Sequence, residues 1–176
     1  MLEVTLENAK AISIWFIENA RDLPCRNTHD PYDIWISEIM LQQTRIEAVI
    51  PKYLQFHHVL PDIASLAEID EPALLRLWEG LGYYNRARNL KKCAMELTEK
   101  YNGKLPRNKK ELLALPGIGP YTCGAILSIA YGIAEPAIDG NVLRVIARLC
   151  NDDRNVLDTP VQKDTYTALS SLFEQY

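Results

Sequence analysis

The chain has 176 residues, enough to bury a hydrophobic core in one domain or in two small lobes. Hydrophobic residues make up 48% of the chain and charged residues 24%, which is typical of a soluble globular protein. The net charge of −4 excludes a general attraction to nucleic acid, so any DNA binding must come from a local patch of positive charge.

Neither a membrane span nor a secretion signal is indicated by the sequence. No apolar run is long enough to cross a bilayer, and the N-terminus lacks the layout of a signal peptide. The four cysteines are widely scattered and form no Cys-x-x-Cys pair, so neither a zinc site nor a disulfide framework is supported. We therefore expect a protein of a reducing, cytosolic compartment. The cysteines are Cys25, Cys93, Cys123 and Cys150.

The spacing of apolar residues predicts an all-α protein, because helical periodicity recurs and alternating strand patterns are absent. A first helix is predicted over 5–19. A second begins where Asp30 can act as N-cap and Pro31 takes the first helical position, and it runs through Gln43. Further helices are predicted over 46–57, 71–77, 83–101, 108–114, 121–131, 139–149 and 160–175. We interpret five prolines as marking starts and ends of helices, namely Pro51, Pro61, Pro72, Pro106 and Pro116.

The second predicted helix places Glu38 among apolar residues. Ile34 and Trp35 lie one turn before it and Leu41 one turn after it. An acid in such surroundings either pairs with a cation or stays protonated near neutrality, and a general acid needs the second condition. A core glutamate that is satisfied by a neighbouring donor explains this segment equally well.

A glycine-containing turn between two predicted helices indicates contact with a DNA backbone. It has the sequence Leu115-Pro116-Gly117-Ile118-Gly119. Gly117 and Gly119 lack Cβ atoms, so the chain can turn sharply and a phosphate can approach closely. The N–H groups that open the next helix also favour an anion. This pattern matches the helix-hairpin-helix element, and the alternative is a plain turn between helices.

Residues 81–92 form a second candidate DNA-binding segment, in which a basic run follows two tyrosines. Cations there would contact phosphates, and an aromatic ring could stack between bases. Tyr83, directly after Gly82, is the better candidate for such a wedge. The alternative is a solvated basic helix face with the tyrosines packed inward. The cations are Arg86, Arg88, Lys91 and Lys92.

Asp139 is a candidate second carboxylate, in the segment Ile138-Asp139-Gly140-Asn141. Aspartate and asparagine both cap helices well, so capping is the favoured explanation of this segment alone. The hairpin just before Asp139 and the acid at Glu38 favour a catalytic role for Asp139 in addition. Two carboxylates in different environments can divide the roles of a proton donor and an ionised stabiliser.

Together these segments resemble the helix-hairpin-helix DNA glycosylases, and specifically the MutY-type adenine glycosylases. The resemblance runs over roughly residues 8–150, and its most specific block is 37–44. It implies a two-lobed all-α fold, with a six-helix barrel lobe over 27–134 that contains the hairpin. A second lobe, built from 1–26 and 135–176, lacks the iron–sulfur segment. The matching segments are 21–24, 37–44, 80–84, 115–119 and 139–142.

The resemblance implies a monofunctional glycosylase of base excision repair, which flips adenine mispaired with 8-oxoguanine or guanine out of double-stranded DNA and removes it. Glu38 would protonate the adenine, and Asp139 would stay ionised and stabilise the oxocarbenium ion. Tyr121 would lie beside the sugar, at the position where the related endonuclease III has its Schiff-base lysine. Asn141 would order water or the Asp139 carboxylate. The implied DNA contacts, with Arg26 holding the flipped adenine, are Arg26, Leu41, Gln42, Gln43, Thr44, Gly82, Tyr83, Arg86, Arg88, Gly117, Gly119 and Thr122.

The chain departs from this family in three ways. Cys25 stands where the family usually has tryptophan, and the closely spaced cysteines of its [4Fe–4S] cluster are missing. The C-terminal domain that recognises 8-oxoguanine is missing too. We therefore expect no encoded cofactor and no metal ligand; an alkali cation at the hairpin is implied only by the resemblance. We expect a monomer that acts on duplex DNA with a mismatched or damaged base in a bacterial-type cytoplasm, near the nucleoid, without a membrane partner.

Three other readings stay open. A related glycosylase could remove a different mismatched base, such as thymine or uracil, although Gln42 and Gln43 together with Tyr121 favour adenine. A non-catalytic helix-hairpin-helix module would bind DNA only, but it would need neither Glu38 nor Asp139. A purely structural helical protein explains neither the hairpin glycines nor the tyrosine-rich basic segment.

Overall fold

A computed structural model describes residues 4–173, and every regular element in that range is helical. The predicted all-α class is therefore confirmed. None of the described helices is both long and apolar enough to cross a membrane. A 3₁₀ turn covers Pro24–Arg26 and a π-helical turn covers Ile126–Ala130. The α-helices are α1 (Leu6–Asn19), α2 (Pro31–Leu41), α3 (Ile46–Val59), α4 (Ile63–Glu68), α5 (Glu71–Leu77), α6 (Asn85–Tyr101), α7 (Lys109–Ala114), α8 (Pro120–Ala125), α9 (Gly140–Leu149) and α10 (Thr159–Phe173).

Helix α2 begins as the sequence predicts. Asp30 is its N-cap and accepts a hydrogen bond from the backbone N–H of Tyr32 at 2.8 Å, and Pro31 occupies the first helical position. Because a proline at that position lacks only an N–H that would be unsatisfied anyway, it stabilises the start of the helix.

Two features of the helix boundaries differ from the prediction. Helix α4 was not predicted, although Asp62 and Ser65 form a capping box at its start. The interpretation of Pro51 as a boundary was wrong, because Pro51 lies inside α3. Proline removes one helical hydrogen bond there, and burial of Val49 and Phe56 on either side offsets that loss.

The contacts divide the chain into two compact units, one formed by 1–21 with 133–176 and the other by 22–132. In the second unit, α2 lies in the core and packs on α3 and α8, while α4 packs on α6. Helix α2 is apolar on most of its sides, as expected of a helix that is largely buried. Trp35 on α2 is 1% exposed, and Phe56 and Trp78 are fully buried near each other, with ring centroids 6.2 Å apart.

In the unit formed by 1–21 and 133–176, α9 packs on α10. Leu143 and Ile146 on α9 and Val161 and Leu172 on α10 are buried. Arg154, in the connection between the two helices, pairs with carboxylates on both sides of it, at 2.8 Å to Asp152 and 2.8 Å to Asp164.

Candidate active site and DNA-binding surface

Helix α2 places Glu38 in its last turn with a half-buried side chain, between the buried Ser37 and Ile39. Glu38 lies near the 3₁₀ turn that contains Cys25. Burial raises the pKa of the Cys25 thiol, and the charge of Glu38 contributes to the rise while Arg26 opposes it. The acid is therefore neither enclosed in the core nor fully hydrated. It lies at the edge of a packed helix, close enough to the Cys25 thiol to affect its pKa.

Asp139 caps α9, so the capping interpretation of this residue is confirmed. Its carboxylate accepts hydrogen bonds from the backbone N–H groups of Asn141 at 2.9 Å and Val142 at 2.8 Å. The side-chain amide of Asn141 donates a third, at 2.8 Å, and itself accepts one from Arg144. These donors fix the orientation of the carboxylate and accommodate a negative charge on it. Capping and an electrostatic role are compatible, because the two backbone donors of the cap also accommodate the charge of the carboxylate.

Arg86 does not follow the expectation of a phosphate contact, because its guanidinium is directed into the protein. The four hydrogens of its Nη1 and Nη2 atoms are shared among six oxygens, and these bonds join the end of α2 to the turn before α6. The guanidinium also stacks 5.4 Å from the ring of Trp78. The structure therefore gives Arg86 an organising role. Its acceptors are the backbone oxygens of Ile39, Met40, Gln42, Leu81 and Gly82 and the hydroxyl of Thr44, at 2.5–3.3 Å.

Two predicted DNA-contacting threonines are also used internally. Thr122 on α8 is 1% exposed, and its hydroxyl accepts a hydrogen bond from the Gln42 side chain at 3.3 Å. The Thr122 hydroxyl thus has a partner within the protein, and its expected DNA contact stays a prediction. Thr44 is half-buried and donates to the backbone oxygen of Leu81 at 3.3 Å. Both hydroxyls hold the end of α2 in place against its neighbours.

An open cleft of about 390 Å³ lies where the end of α2 meets the start of α6. Tyr83, at its rim, is 64% exposed. Two non-glycine residues of the cleft have a left-handed backbone, with φ 45° at Tyr83 and 55° at Gln43. Such conformations cost about 1–3 kcal/mol each and concentrate at functional sites. The cleft is lined by Gln42, Gln43, Tyr83, Tyr84, Asn85, Arg86 and Arg88.

The rest of the predicted basic run is partly occupied by internal partners. Arg88 Nε pairs with Glu71 at 2.8 Å, and Lys91 donates to the backbone oxygen of Ile69 at the end of α4. Lys92 is exposed. Arg86, Arg88 and Lys91 thus have partners within the protein, and Tyr83 and Tyr84 are exposed, so the alternative of a solvated basic face with inward tyrosines does not describe this segment.

The two hairpin glycines serve different purposes. Gly117 has φ +79°, and a Cβ atom there would lie 2.8 Å from the Cβ of Asn89 on α6. Gly119, the N-cap of α8, has φ −91° and no atom within 4 Å of the position of an added Cβ. Gly117 is thus required by the fold, whereas the open space at Gly119 leaves the start of α8 accessible from outside. Buried Ile118 anchors the turn between them.

The remaining predicted site residues lie on the same structural elements. Arg26 is exposed at the end of the 3₁₀ turn, and Leu41 is half-buried at the end of α2. Tyr121 is half-buried in the first turn of α8. Gly82 has φ +69°, and its carbonyl accepts a hydrogen bond from the Trp78 indole at 3.0 Å. Gly82 therefore shapes the turn that presents Tyr83.

The cysteines do not fit the iron–sulfur cluster that the resemblance implies. Cys93 and Cys123 are buried, whereas Cys25 and Cys150 are half-buried. Among residues 4–173, no group of three or more His, Cys, Asp or Glu side chains is arranged to hold a metal ion.

The fold and these motifs define a DNA-repair glycosylase class, and comparison with known proteins supports this. Residues 36–175 match the family described as "HhH-GPD superfamily base excision DNA repair protein". The chain belongs to this superfamily.

Within the superfamily, the chain is similar to adenine DNA glycosylases, which confirms the resemblance found in the sequence. It is 44% identical to that of Buchnera aphidicola subsp. Baizongia pistaciae over 145 residues, which cover 82% of this chain and 41% of the relative. The human adenine DNA glycosylase is 40% identical over 156 residues, covering 84% of this chain and 28% of the relative. The chain thus spans less than half the length of these curated relatives.

Solved structures show the same fold. A thermostable thymine-DNA glycosylase superimposes with a TM-score of 0.74 and 28% identity, covering 93% of this chain and 83% of that one. A trapped endonuclease III–DNA covalent intermediate superimposes with a TM-score of 0.73 and 25% identity, covering 97% of this chain and 85% of that one. The predicted helix-hairpin-helix glycosylase fold is therefore confirmed.

Proposed function

We propose that this chain removes adenine mispaired with 8-oxoguanine or guanine from double-stranded DNA, as a monofunctional glycosylase of base excision repair. The observation that carries the proposal is the position of Glu38, an acid at the edge of an otherwise buried helix. Helix α2 holds it near the 3₁₀ turn Pro24–Arg26, where its charge acts on the Cys25 thiol. We further propose that the two units are the two lobes of the fold, and that the chain acts as a monomer in the cytoplasm.

In the proposed reaction, the bond between the sugar and adenine breaks and a water molecule takes the place of the base. Glu38 gives its proton to the adenine ring, so that the base leaves as a neutral molecule. Water then adds to the sugar carbon and returns a proton to Glu38, leaving an abasic site and free adenine. This reaction needs no reactant other than water.

Asp139 is proposed to stabilise the oxocarbenium ion that forms as the base departs. A carboxylate about 4 Å from that positive charge, at an effective dielectric constant near 20, contributes about 4 kcal/mol. A barrier lowered by that amount corresponds to roughly a thousandfold in rate. Asn141, which donates to the Asp139 carboxylate at 2.8 Å, is proposed to keep it oriented.

The DNA backbone is proposed to contact the hairpin at Gly119, which is exposed at the start of α8 and has open space beside its Cα atom. Tyr83 is proposed as the wedge that occupies the gap left by the flipped base, with Leu41, Gln42 and Gln43 contacting the bases beside it. The left-handed backbone at Tyr83 is consistent with this role, because it holds the ring 64% exposed.

The absence of a lysine near Tyr121 supports a monofunctional reaction. A glycosylase that also cleaves the strand forms a Schiff base with the sugar and needs an amine for it. Residues 112–127 contain no lysine, and Tyr121 follows the hairpin. Tyr121 is proposed to lie beside the sugar without forming a covalent bond to it.

The proposal is tested by exchanging Glu38 for glutamine, which keeps the shape of the side chain but cannot donate a carboxylic proton. We expect Glu38→Gln to abolish adenine excision and to leave duplex affinity within about twofold, because the change removes only a proton donor. Glu47→Gln, at an exposed position on α3, is the matched control and should excise like the parent chain. Normal excision by Glu38→Gln would show that the assignment of Glu38 is wrong.

A further inference from the structure

The side-chain amide of Asn85 is held in one orientation by a relay of hydrogen bonds. Its oxygen accepts a hydrogen bond from Arg88 Nη1 at 3.2 Å. Arg88 Nε in turn donates to Glu71 Oε1 at 2.8 Å. A guanidinium can only donate, so the amide oxygen of Asn85 must face Arg88. The NH₂ group therefore points away from the relay, and Asn85 is among the residues that line the cleft.

This relay contributes little to stability. The Arg88 and Glu71 side chains are 40% and 52% exposed, and ion pairs with such exposure contribute about 0–1 kcal/mol. Asn85 is the first residue of α6, and no side chain caps that helix. The described residues contain no acceptor bonded to the Asn85 NH₂ group. Two hydrogen-bond donors are thus oriented and left available at the cleft.

The surroundings of Asn85 indicate what would use those donors. Tyr83 and Gln43, the two strained residues, line the same cleft. If Tyr83 fills the gap left by a flipped adenine, the base opposite that adenine loses its pairing partner. Its Watson–Crick edge is then exposed, and in guanine and 8-oxoguanine that edge carries the carbonyl oxygen O6. Asparagine amides read base edges through hydrogen bonds of this kind.

We propose that Asn85 is a specificity-determining residue that donates a hydrogen bond from Nδ2 to O6 of the purine opposite the target adenine. Arg88 and Glu71 are positioning residues that orient its amide. This inference rests on the proposed function and deepens it. It assigns recognition of the opposite base in part to the start of α6, within the chain itself.

The test compares duplexes that differ in that one oxygen. Adenine is placed opposite guanine, inosine or 2-aminopurine; the first two carry O6 and the third lacks it. Binding is measured by fluorescence anisotropy in a Glu38→Gln background, so that no base is excised during the measurement. We expect this background to prefer guanine and inosine over 2-aminopurine by about two- to tenfold, the range of one neutral hydrogen bond.

Asn85→Ala should reduce the O6-dependent preference by that factor, and Glu71→Ala should reduce it partly, because the amide loses its fixed orientation. Gln55→Ala, which removes an exposed amide on α3, is the matched control and should leave the preference unchanged. Equal loss of affinity for all three duplexes would overturn the inference in favour of a phosphate contact by Asn85. An unchanged preference would overturn it as well.

These outcomes are distinct from failure of the proposed function. That failure would appear as absence of adenine excision by the chain with its native Glu38, or as absence of duplex binding in every variant. Retained excision and binding with an unchanged preference in Asn85→Ala would overturn only the role of Asn85.

Discussion

Replacing Gly117 by alanine should destabilise the protein, whereas the same replacement at Gly119 should not. The left-handed backbone at Gly117, φ +79°, costs about 1–2 kcal/mol for a residue with a Cβ atom. That Cβ would lie 2.8 Å from the Cβ of Asn89, which cannot move without its backbone. Overpacking of this kind costs about 1–3 kcal/mol more. Loss of glycine freedom in the unfolded chain offsets about 0.4–1 kcal/mol. The net destabilisation is roughly 1–5 kcal/mol.

At Gly119 neither cost applies, because φ is −91° and nothing lies within 4 Å of an added Cβ. Gly119→Ala should therefore leave the free energy of unfolding unchanged or raise it by up to about 1 kcal/mol. A methyl group at the start of α8 would nevertheless keep a phosphate away from the N–H groups. We expect a loss of about tenfold or more in duplex affinity, the equivalent of one charge-assisted hydrogen bond.

The free energy of unfolding is measured by urea unfolding, followed by far-UV circular dichroism. The duplex affinity is measured by fluorescence anisotropy with an undamaged duplex at about 100 mM salt. If Gly117→Ala were as stable as the parent chain, the account of the hairpin packing against α6 would be refuted. If Gly119→Ala bound DNA normally, the hairpin would not be the backbone contact.

Three further outcomes are expected. Arg86→Ala should lower the free energy of unfolding by roughly 2–4 kcal/mol, because several backbone oxygens lose a charged donor. Arg76→Ala, at an exposed position on α5, should change it by no more than about 0.5 kcal/mol, and urea unfolding compares the two variants. Burial lowers the pKa of His57 below its ordinary 6.5, against the opposing effect of Asp33. As the pH falls, His57 is therefore protonated at a higher pH in the unfolded chain than in the folded protein. The stability that neutral His57 contributes is complete above pH 6.5 and is lost as the pH falls towards the folded-state pKa. His57→Gln should remove that part of the pH dependence of unfolding, and an unchanged slope would contradict it. Burial raises the pKa of Cys93 to about 12, so Cys93 should resist thiol reagents at pH 8 until the protein is denatured, as peptide mapping after labelling would show.

Local signals in the sequence were sufficient for the features that depend on a few adjacent residues. Asp30-Pro31 marks the start of α2, and Asp139 caps α9, because capping involves donors two or three residues away. Gly117 could be recognised as a turn residue for the same reason. The all-α class followed from helical spacing alone.

Features that depend on distant partners were not accessible from the sequence. Arg86 was assigned to DNA because of its basic neighbours, but it bonds to oxygens of residues 39–44, more than 40 positions earlier in the chain. Thr122 is buried because α8 packs on α2. The predicted helix 121–131 changes to a π-helical turn at Ile126, which no residue pattern indicated. Helix α4 was missed although its capping box was present in the sequence.

The most direct test of the central claim is single-turnover excision, with the chain in excess over a duplex that carries one adenine opposite 8-oxoguanine. Strand cleavage is scored with and without alkali treatment. We expect release of adenine and strand breaks only after alkali, with no product from Glu38→Gln. Strand breaks without alkali would contradict the monofunctional mechanism, and a bound duplex that keeps its adenine would contradict the proposed glycosylase activity.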